Sequence, residues 1–146
     1  MPEPDDFRVL VATDGSTHAR AAIATARTLL WPADTRVRAV VARRSRWSPL
    51  RRRAVDALRG HFERVAAGAG RTLRRTWPNA DATVVDALPV DAILAEARRF
   101  RAKLIVLGWR GYGPMARLFM GSVSRGVVRH ALCPVLVVRR RCDIRT

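Results

Sequence analysis

Three glycines and a serine form the group of residues in this chain best suited to chemistry. Gly108 and Gly111 are followed by Gly121 and Ser122 in the pattern G-x2-G-x9-G-S. An apolar run ends just before the pattern at Leu107, and a helical pattern begins just after it. Glycine lets a backbone approach a ligand closely, and a helix start offers unpaired N–H groups with a positive dipole end. The pattern therefore predicts a phosphate-binding loop between a strand and a helix.

Short apolar runs alternate with longer helical patterns along the chain, and they supply the elements that must position this loop. The predicted strands are 9–12, 37–42, 82–85, 103–107 and 134–138. Apolar residues recur at three- and four-residue steps in the predicted helices between them. They are Ala22, Ile23, Ala26 and Leu30; Val55, Leu58, Phe62, Val65, Ala69 and Leu73; Ile93, Leu94 and Ala97; and the segment 123–131. Such alternation predicts an α/β fold with a parallel sheet covered by helices on both faces.

Three local signals mark where these helices begin or end. Residues 13–16, Thr-Asp-Gly-Ser, are typical of a turn that leads into a helix, and Pro32 should stop that helix. The second helix is expected to start near Pro49, and Pro89 suits the first turn of the third. Ligands of parallel sheets bind at the carboxyl ends of the strands, where the strand order reverses. If the first and fourth strands are neighbours, Asp14 and the glycine pattern face one crevice.

Composition favours one domain over residues 1–146, with about 1–6 and 141–146 expected to be flexible. The net charge is +16, with 28 basic against 12 acidic residues, and Lys103 is the only lysine. Arginine in place of lysine on ordinary solvated faces, as in a GC-rich genome, explains such a charge. A nucleic-acid or anionic-surface binding site within 43–75, with arginines around Trp47, is the alternative.

The beginning and the hydropathy of the chain favour a cytoplasmic protein. The first residues are acidic and contain proline, unlike a signal peptide, and no apolar run is long enough to span a membrane. Membrane insertion is therefore not expected. Cys133 and Cys142 have neither metal-ligand spacing nor a CxxC pattern, so a disulfide scaffold is not expected either.

The chain resembles the universal stress protein family, in its nucleotide-binding branch, over nearly its whole length. The resemblance is carried by residues 9–16 (VLVATDGS), by the glycine pattern and by residues 121–138, which end in HALCPVLVV. It implies a three-layer, Rossmann-like fold with a five-stranded sheet of order 3-2-1-4-5. It also implies a homodimer formed through the fifth strands, and ATP bound in the crevice.

The resemblance assigns roles to individual positions. Asp14 would approach the ribose or a metal at the phosphates, Ala42 would offer its backbone to adenine, and Gly108 would lie near the ribose. The phosphates would be surrounded by Gly111, Gly121, Ser122 and Ser124. The full set of predicted nucleotide-binding residues is Ala12, Thr13, Asp14, Ala42, Leu107, Gly108, Arg110, Gly111, Gly121, Ser122, Val123 and Ser124.

Several of these assignments have local alternatives. Asp14 could hold Mg²⁺ or only cap a helix, and Ser122 and Ser124 could cap a helix as well as contact phosphate. Arg110 and Arg117 could contact phosphate or face solvent. Trp109 departs from the small or polar residue common in the family, and its indole could line the pocket, shield it or lie on the surface.

The chain lacks the residues of an efficient phosphoryl-transfer enzyme. There is no G-x4-G-K-[ST] sequence, and no glutamate or glutamine is placed to orient an attacking water. We therefore expect an ATP-binding stress-response regulator, with at most slow ATP hydrolysis, whose nucleotide state alters its contact with a protein partner. A related adenine nucleotide such as cyclic AMP remains an alternative ligand, and a structural dimer with a vestigial pocket is a third possibility.

Overall fold

The computed structural model describes residues 6–43, 52–110 and 120–140, with side-chain positions for all of these except 52–57 and 59. Nine elements follow one another in the predicted alternation of strands and helices. They are β1 (Arg8–Ala12), α1 (Thr17–Thr28), β2 (Arg36–Arg43), α2 (Arg52–Arg74), β3 (Asp81–Asp86), α3 (Pro89–Phe100), β4 (Leu104–Gly108), α4 (Ser122–His130) and β5 (Val135–Val138). None of the helices in these ranges combines the length and apolar character needed to cross a membrane.

Some of the predictions fall outside the described residues. They are the flexible ends apart from Asp6, the start of the second helix near Pro49, Trp47 with Arg44, Arg46 and Arg51, and the residues Gly111, Arg117 and Cys142.

The five strands form one parallel sheet in the order β3-β2-β1-β4-β5. The strand at its centre, β1, pairs with β2 on one side and with β4 on the other, so that Leu10 lies opposite both Arg38 and Ile105. The predicted α/β class and the order 3-2-1-4-5 are confirmed. The strand order reverses between β1 and β4, which places a crevice at their carboxyl ends.

The central strand sends alternate side chains into two separate cores. Val9 and Val11 pack with residues of α1 and α2, whereas Leu10 and Ala12 pack with residues of α3 and α4. This division follows from the two-residue period of a strand, which directs successive side chains to opposite faces. Helices therefore cover both faces of the sheet, as the continuous apolar run at residues 9–12 predicts.

The first helix ends earlier than its apolar pattern predicts. Its last residue is Thr28, and Leu30, expected on the buried face, is fully exposed beyond the helix end. Trp31, which is partly buried, packs against the core instead, because its indole Nε1 donates to the carbonyl of Ala26 (2.7 Å) and its ring packs against Phe7. Pro32 also disfavours helical geometry at Trp31, the residue before it.

A buried carboxylate ties α3 to the sheet. Glu96 is 3% exposed, and it accepts a hydrogen bond from Nη1 of Arg38 on β2 (2.9 Å). The same guanidinium donates twice to Asp81 on β3 and lies 4.6 Å from the Phe100 ring centroid. Hydrogen bonds to Asp81 and then Glu96 raise the pKa of Arg38 against the opposing effect of burial. One arginine thus links β2, β3 and α3.

Candidate functional site

A cavity of about 630 Å³ opens at the carboxyl ends of β1 and β4. Its walls come from the ends of β1, β2 and β4, from the first turns of α1 and α3, and from the start of α4. This volume lies within the range of small-molecule sites, about 300–1,000 Å³. The two strand ends that the sequence places at one crevice are neighbours in the sheet.

The turn between β1 and α1 is built from its own side chains. Gly15 has a φ of 79°, a conformation that favours glycine. The backbone N–H of Ser16 donates to Oδ1 of Asp14 (2.9 Å), and Ser16 Oγ in turn accepts from the N–H of Ala19 (3.3 Å). Ser16 is therefore the N-cap of α1, so the reading of Asp14 as the helix cap is wrong. Asp14 stabilises the turn through one oxygen and lines the cavity.

Gly108, at the end of β4, is where α1 comes closest to the sheet. A Cβ at this position would lie 2.7 Å from the carbonyl carbon of His18 and 2.9 Å from the N of Ala19. Both are backbone atoms of the first turn of α1, which cannot move independently of the helix. Glycine is required here because the two backbones touch. The sequence predicts only a ligand contact for Gly108 and does not predict this packing role.

The start of α4 is held in place by the backbone of Trp109. Gly121 is the N-cap, and its N–H donates to the carbonyl of Trp109 (2.9 Å). The hydroxyl of Ser124, a residue 2% exposed, shares its one proton between the same carbonyl (2.8 Å) and that of Gly121 (3.1 Å). Trp109 in turn donates its N–H to Val138 at the end of β5 (2.7 Å). The loop end is thereby fixed to the sheet.

No side chain caps α4 within the described residues, in contrast to α1. Ser122 is the first helical residue and is exposed, and the buried Ser124 directs its hydroxyl to carbonyl groups. The reading of these two serines as helix caps is therefore wrong. A helix start leaves four N–H groups without partners in the helix. That of Gly121 donates to Trp109, and the other three belong to Ser122, Val123 and Ser124, which line the cavity.

The indole of Trp109 does not line the cavity. Its ring lies under the guanidinium of Arg139, whose Cζ is 5.3 Å from the ring centroid. Its Nε1 is buried and has no hydrogen-bond partner among the described residues. Of the three readings of this side chain, the one in which it lines the pocket is not borne out.

Eleven of the twelve predicted site residues lie at the wall of this one cavity, and the twelfth, Gly111, falls outside the described residues. Their role in binding a nucleotide stays a prediction. Six further residues line the cavity without having been predicted: Ala19, Val40, Pro89, Ile93, Met120 and Arg125. Val40 and Ile93 have the same sequence pattern as core residues. Arg125 could have been found, since it lies one helical turn after Gly121.

The cavity is lined by more basic than acidic side chains. Among the described residues at its wall, Arg110 and Arg125 are basic and Asp14 alone is acidic. The described residues contain no group of three or more histidine, cysteine, aspartate or glutamate side chains that could hold a metal ion. With one carboxylate, one oxygen of which already accepts from Ser16, this donor set does not fit a metal held by the protein.

Comparison with known proteins places the chain among relatives of one kind. Residues 7–139 match the model of the universal stress protein family. The chain is 37% identical to the universal stress protein in the QAH/OAS sulfhydrylase 3′ region of Thermus aquaticus, over 90% of this chain and 97% of that protein. It is also similar to the solved universal stress protein UspA from Lactobacillus plantarum, with 25% identity, a TM-score of 0.79, and 94% and 100% of the two chains covered.

Two other solved relatives are described as nucleotide complexes. One is a universal stress protein in complex with cAMP, with a TM-score of 0.70, 24% identity, and 90% and 96% of the two chains covered. The other is a universal stress protein family protein from Arabidopsis thaliana with AMP bound, with a TM-score of 0.70, 19% identity, and 94% of each chain covered. At these identities the likeness to this chain is one of fold.

Proposed function

This chain belongs to the universal stress protein family, and from that premise we propose that it binds ATP or a related adenine nucleotide in the cavity between β1 and β4. The start of α4 carries the proposal, because this uncapped helix presents its N–H groups and positive dipole end to the cavity. Solved relatives described with cAMP and AMP make adenine nucleotides the ligand class to test first.

The two ends of the cavity suit the two ends of a nucleotide. The phosphates would lie against Gly121 and Ser122 at the start of α4. The base would lie against the apolar wall that includes Val40 and Ile93, near the end of β2 at Ala42. A mostly apolar wall with a few convergent polar groups is typical of small-molecule sites.

The proposed role is regulatory, with the nucleotide state altering contact with a protein partner. Within the described residues, Asp14 is the only carboxylate at the cavity wall, so the site offers little to activate an attacking water. ATP hydrolysis is therefore proposed to be slow at most. The cytoplasmic location expected from the sequence also stays a prediction.

A homodimer through β5 is part of the proposal, and the two sheet edges differ in a way that supports it. The edge strand β3 has carboxylates at both ends, Asp81 and Asp86, which pair with arginines of β2. The opposite edge, β5, reads Val-Leu-Val-Val, carries no charge and is only partly buried over its first three residues. Charged residues protect edge strands from pairing, and β5 lacks this protection.

The test is calorimetric titration of ATP into the wild type and into two charge variants at the start of α4. Gly121→Asp and Ser122→Asp each put a negative charge where phosphate would lie, and both should abolish measurable binding. Ser122→Asp is the cleaner variant, since an acidic residue in the first turn of a helix is stabilising by about 0.3–1 kcal/mol. A Cβ at Gly121, by contrast, would lie only 3.3 Å from Arg110 Cα.

Ser122→Asn is the matched control, because it has nearly the size of aspartate without its charge. It should weaken ATP binding far less than Ser122→Asp does. Equal affinity of the wild type and Ser122→Asp, with both folded by circular dichroism, would contradict the proposed site.

A second function, binding of nucleic acid through the arginine-rich segment 43–75, is distinguished by salt. Binding to a basic surface falls steeply with salt and is indifferent to Ser122, whereas binding in the cavity depends on this residue. Arg43, the first arginine of the segment, is already paired with Asp86 on β3. This pairing does not favour a nucleic-acid role for Arg43.

A further inference from the structure

We propose that Arg125, with Arg110, balances the phosphate charge of the bound nucleotide, so that binding requires no divalent cation. This inference rests on the proposed nucleotide site and defines how that site recognises its ligand. It makes the Mg²⁺ ion at Asp14 that the sequence suggests unnecessary, because the guanidinium groups at the cavity wall supply the positive charge that the metal would bring.

Arg125 is directed toward the start of its own helix. It lies one turn into α4, and its guanidinium reaches back so that Nη2 donates to the carbonyl of Met120 (3.2 Å), the residue before the N-cap. Both residues line the cavity. The guanidinium is thereby held beside Gly121, where the phosphates are proposed to lie, and it has five N–H donors in all.

This position is electrostatically unfavourable in the absence of an anion. The N-terminal end of a helix carries about half a positive charge, and a basic side chain near it is destabilising. The first turn of α4 contains no acidic residue to offset this charge. Arg110 adds a second guanidinium at the same cavity wall. The helix end and the Arg125 guanidinium therefore repel each other, and a phosphate group beside Gly121 relieves this repulsion.

Four carboxylates among the described residues pair with arginines of the sheet rather than with Arg125. Within the described residues Arg125 forms no ion pair, while Asp6, Asp81, Asp86 and Glu96 all pair with arginines of β1 or β2. The sequence of residues 111–119, GYGPMARLF, contains no acidic residue and one more arginine. Mg²⁺ usually needs one or two carboxylates besides phosphate oxygens. Among the described residues at the cavity wall the one candidate is Asp14, and one of its two oxygens already accepts from Ser16.

Calorimetric titration of the full chain with ATP, in EDTA and then in Mg²⁺, tests this inference. The wild type should bind ATP with Kd values in the two solutions that agree within about threefold. In EDTA the affinity should decrease from ATP to ADP to AMP to adenosine, because each phosphate removed takes away negative charge that the guanidinium groups contact.

Arg125→Glu is the decisive variant, and Arg129→Glu is its matched control. The two substitutions change the net charge equally on the same helix, but Arg129 is exposed in the last turn and does not line the cavity. In EDTA, Arg125→Glu should weaken ATP binding by about tenfold or more and leave adenosine binding unchanged. Mg²⁺ should restore part of the lost affinity, since the new carboxylate supplies a metal ligand. Arg129→Glu should behave as the wild type.

The possible results separate this inference from the function on which it rests. If the wild type binds neither ATP nor adenosine in either solution, the proposed function fails. If ATP binds only with Mg²⁺, or if Arg125→Glu and Arg129→Glu weaken ATP binding equally, the nucleotide site stands and the role of Arg125 is refuted. If the wild type binds ATP equally well with and without Mg²⁺, and Arg125→Glu weakens this binding while Arg129→Glu does not, both the nucleotide site and the role of Arg125 are supported.

Discussion

At the scale of single residues, the glycines of the chain meet different physical requirements. Gly15 supplies a positive φ in the turn after β1, whereas Gly121 leaves room beside the Arg110 backbone at the start of α4. Gly108 permits the backbone of β4 to touch that of α1. A phosphate-binding motif read from sequence therefore combines ligand contact with packing, and substitution must separate the two.

Gly108→Ala should destabilise the protein by displacing α1 from β4. The added Cβ would meet His18 backbone atoms at 2.7 and 2.8 Å, and such overpacking costs about 1–3 kcal/mol. Urea denaturation measures the loss. Gly68→Ala on α2 is the control, because its Cβ would meet only a flexible arginine atom at 3.8 Å, and alanine should stabilise a helix there by about 1 kcal/mol. Equal stability of the two variants would contradict the close approach of α1.

At the scale of elements, the ion pair between the partly exposed Arg38 and the buried Glu96 fixes α3 against the sheet. Pro89 and Ile93 of α3 form part of the cavity wall, so the position of this helix shapes the site. A buried ion pair contributes little net stability, but removal of one partner leaves an uncompensated charge. Arg38 retains Asp81 if Glu96 is lost, whereas Glu96 has no other hydrogen-bond partner among the described residues.

Arg38→Met should therefore lower the free energy of unfolding by about 3–5 kcal/mol, because it leaves Glu96 buried and unpaired. Glu96→Leu should cost less. The double variant Arg38→Met/Glu96→Leu should recover most of the loss, as measured by urea denaturation. The hydrogen bonds that raise the pKa of Arg38 stabilise its charged form. Their contribution to stability is complete below the ordinary arginine pKa and is lost only above it. Titration of Arg38 should therefore cause no change in the free energy of unfolding between pH 6 and 9. A double variant no more stable than Arg38→Met would refute the pairing.

At the scale of the whole molecule, local sequence patterns predict the helices and strands well, but they predict contacts between residues distant in the sequence poorly. The alternation of strands and helices is legible because each element buries an apolar face with its own period. The prediction for Leu30 is wrong because Trp31, packed against Phe7, covers the core in its place. A glutamate on a helix is usually exposed to solvent, and the burial of Glu96 depends on Arg38, which lies 58 residues away in the sequence. The packing of Gly108 on α1 is equally invisible, since it joins distant segments.

The net charge also acts on the whole molecule, and it sets the expected salt dependence of the proposed dimer. Each copy has a net charge of +16, so two copies repel each other at low salt. The screening length falls from about 30 Å at 0.01 M to about 8 Å at 0.15 M. Sedimentation velocity should therefore show stronger dimerisation as salt rises over this range, the opposite of binding to nucleic acid.

Val137→Pro tests whether β5 forms the interface. The hydrogen bonds from Ile105 to Pro134 and from Trp109 to Val138 place the Val137 N–H on the outer side of β5 in a parallel ladder. Proline is tolerated where an edge-strand N–H faces outward, so the fold and ATP binding should persist. The variant should remain monomeric at 0.15 M salt, because a partner strand would lose its hydrogen-bond donor. A dimer as strong as that of the wild type would place the interface elsewhere, and the uncharged edge of β5 would need another explanation.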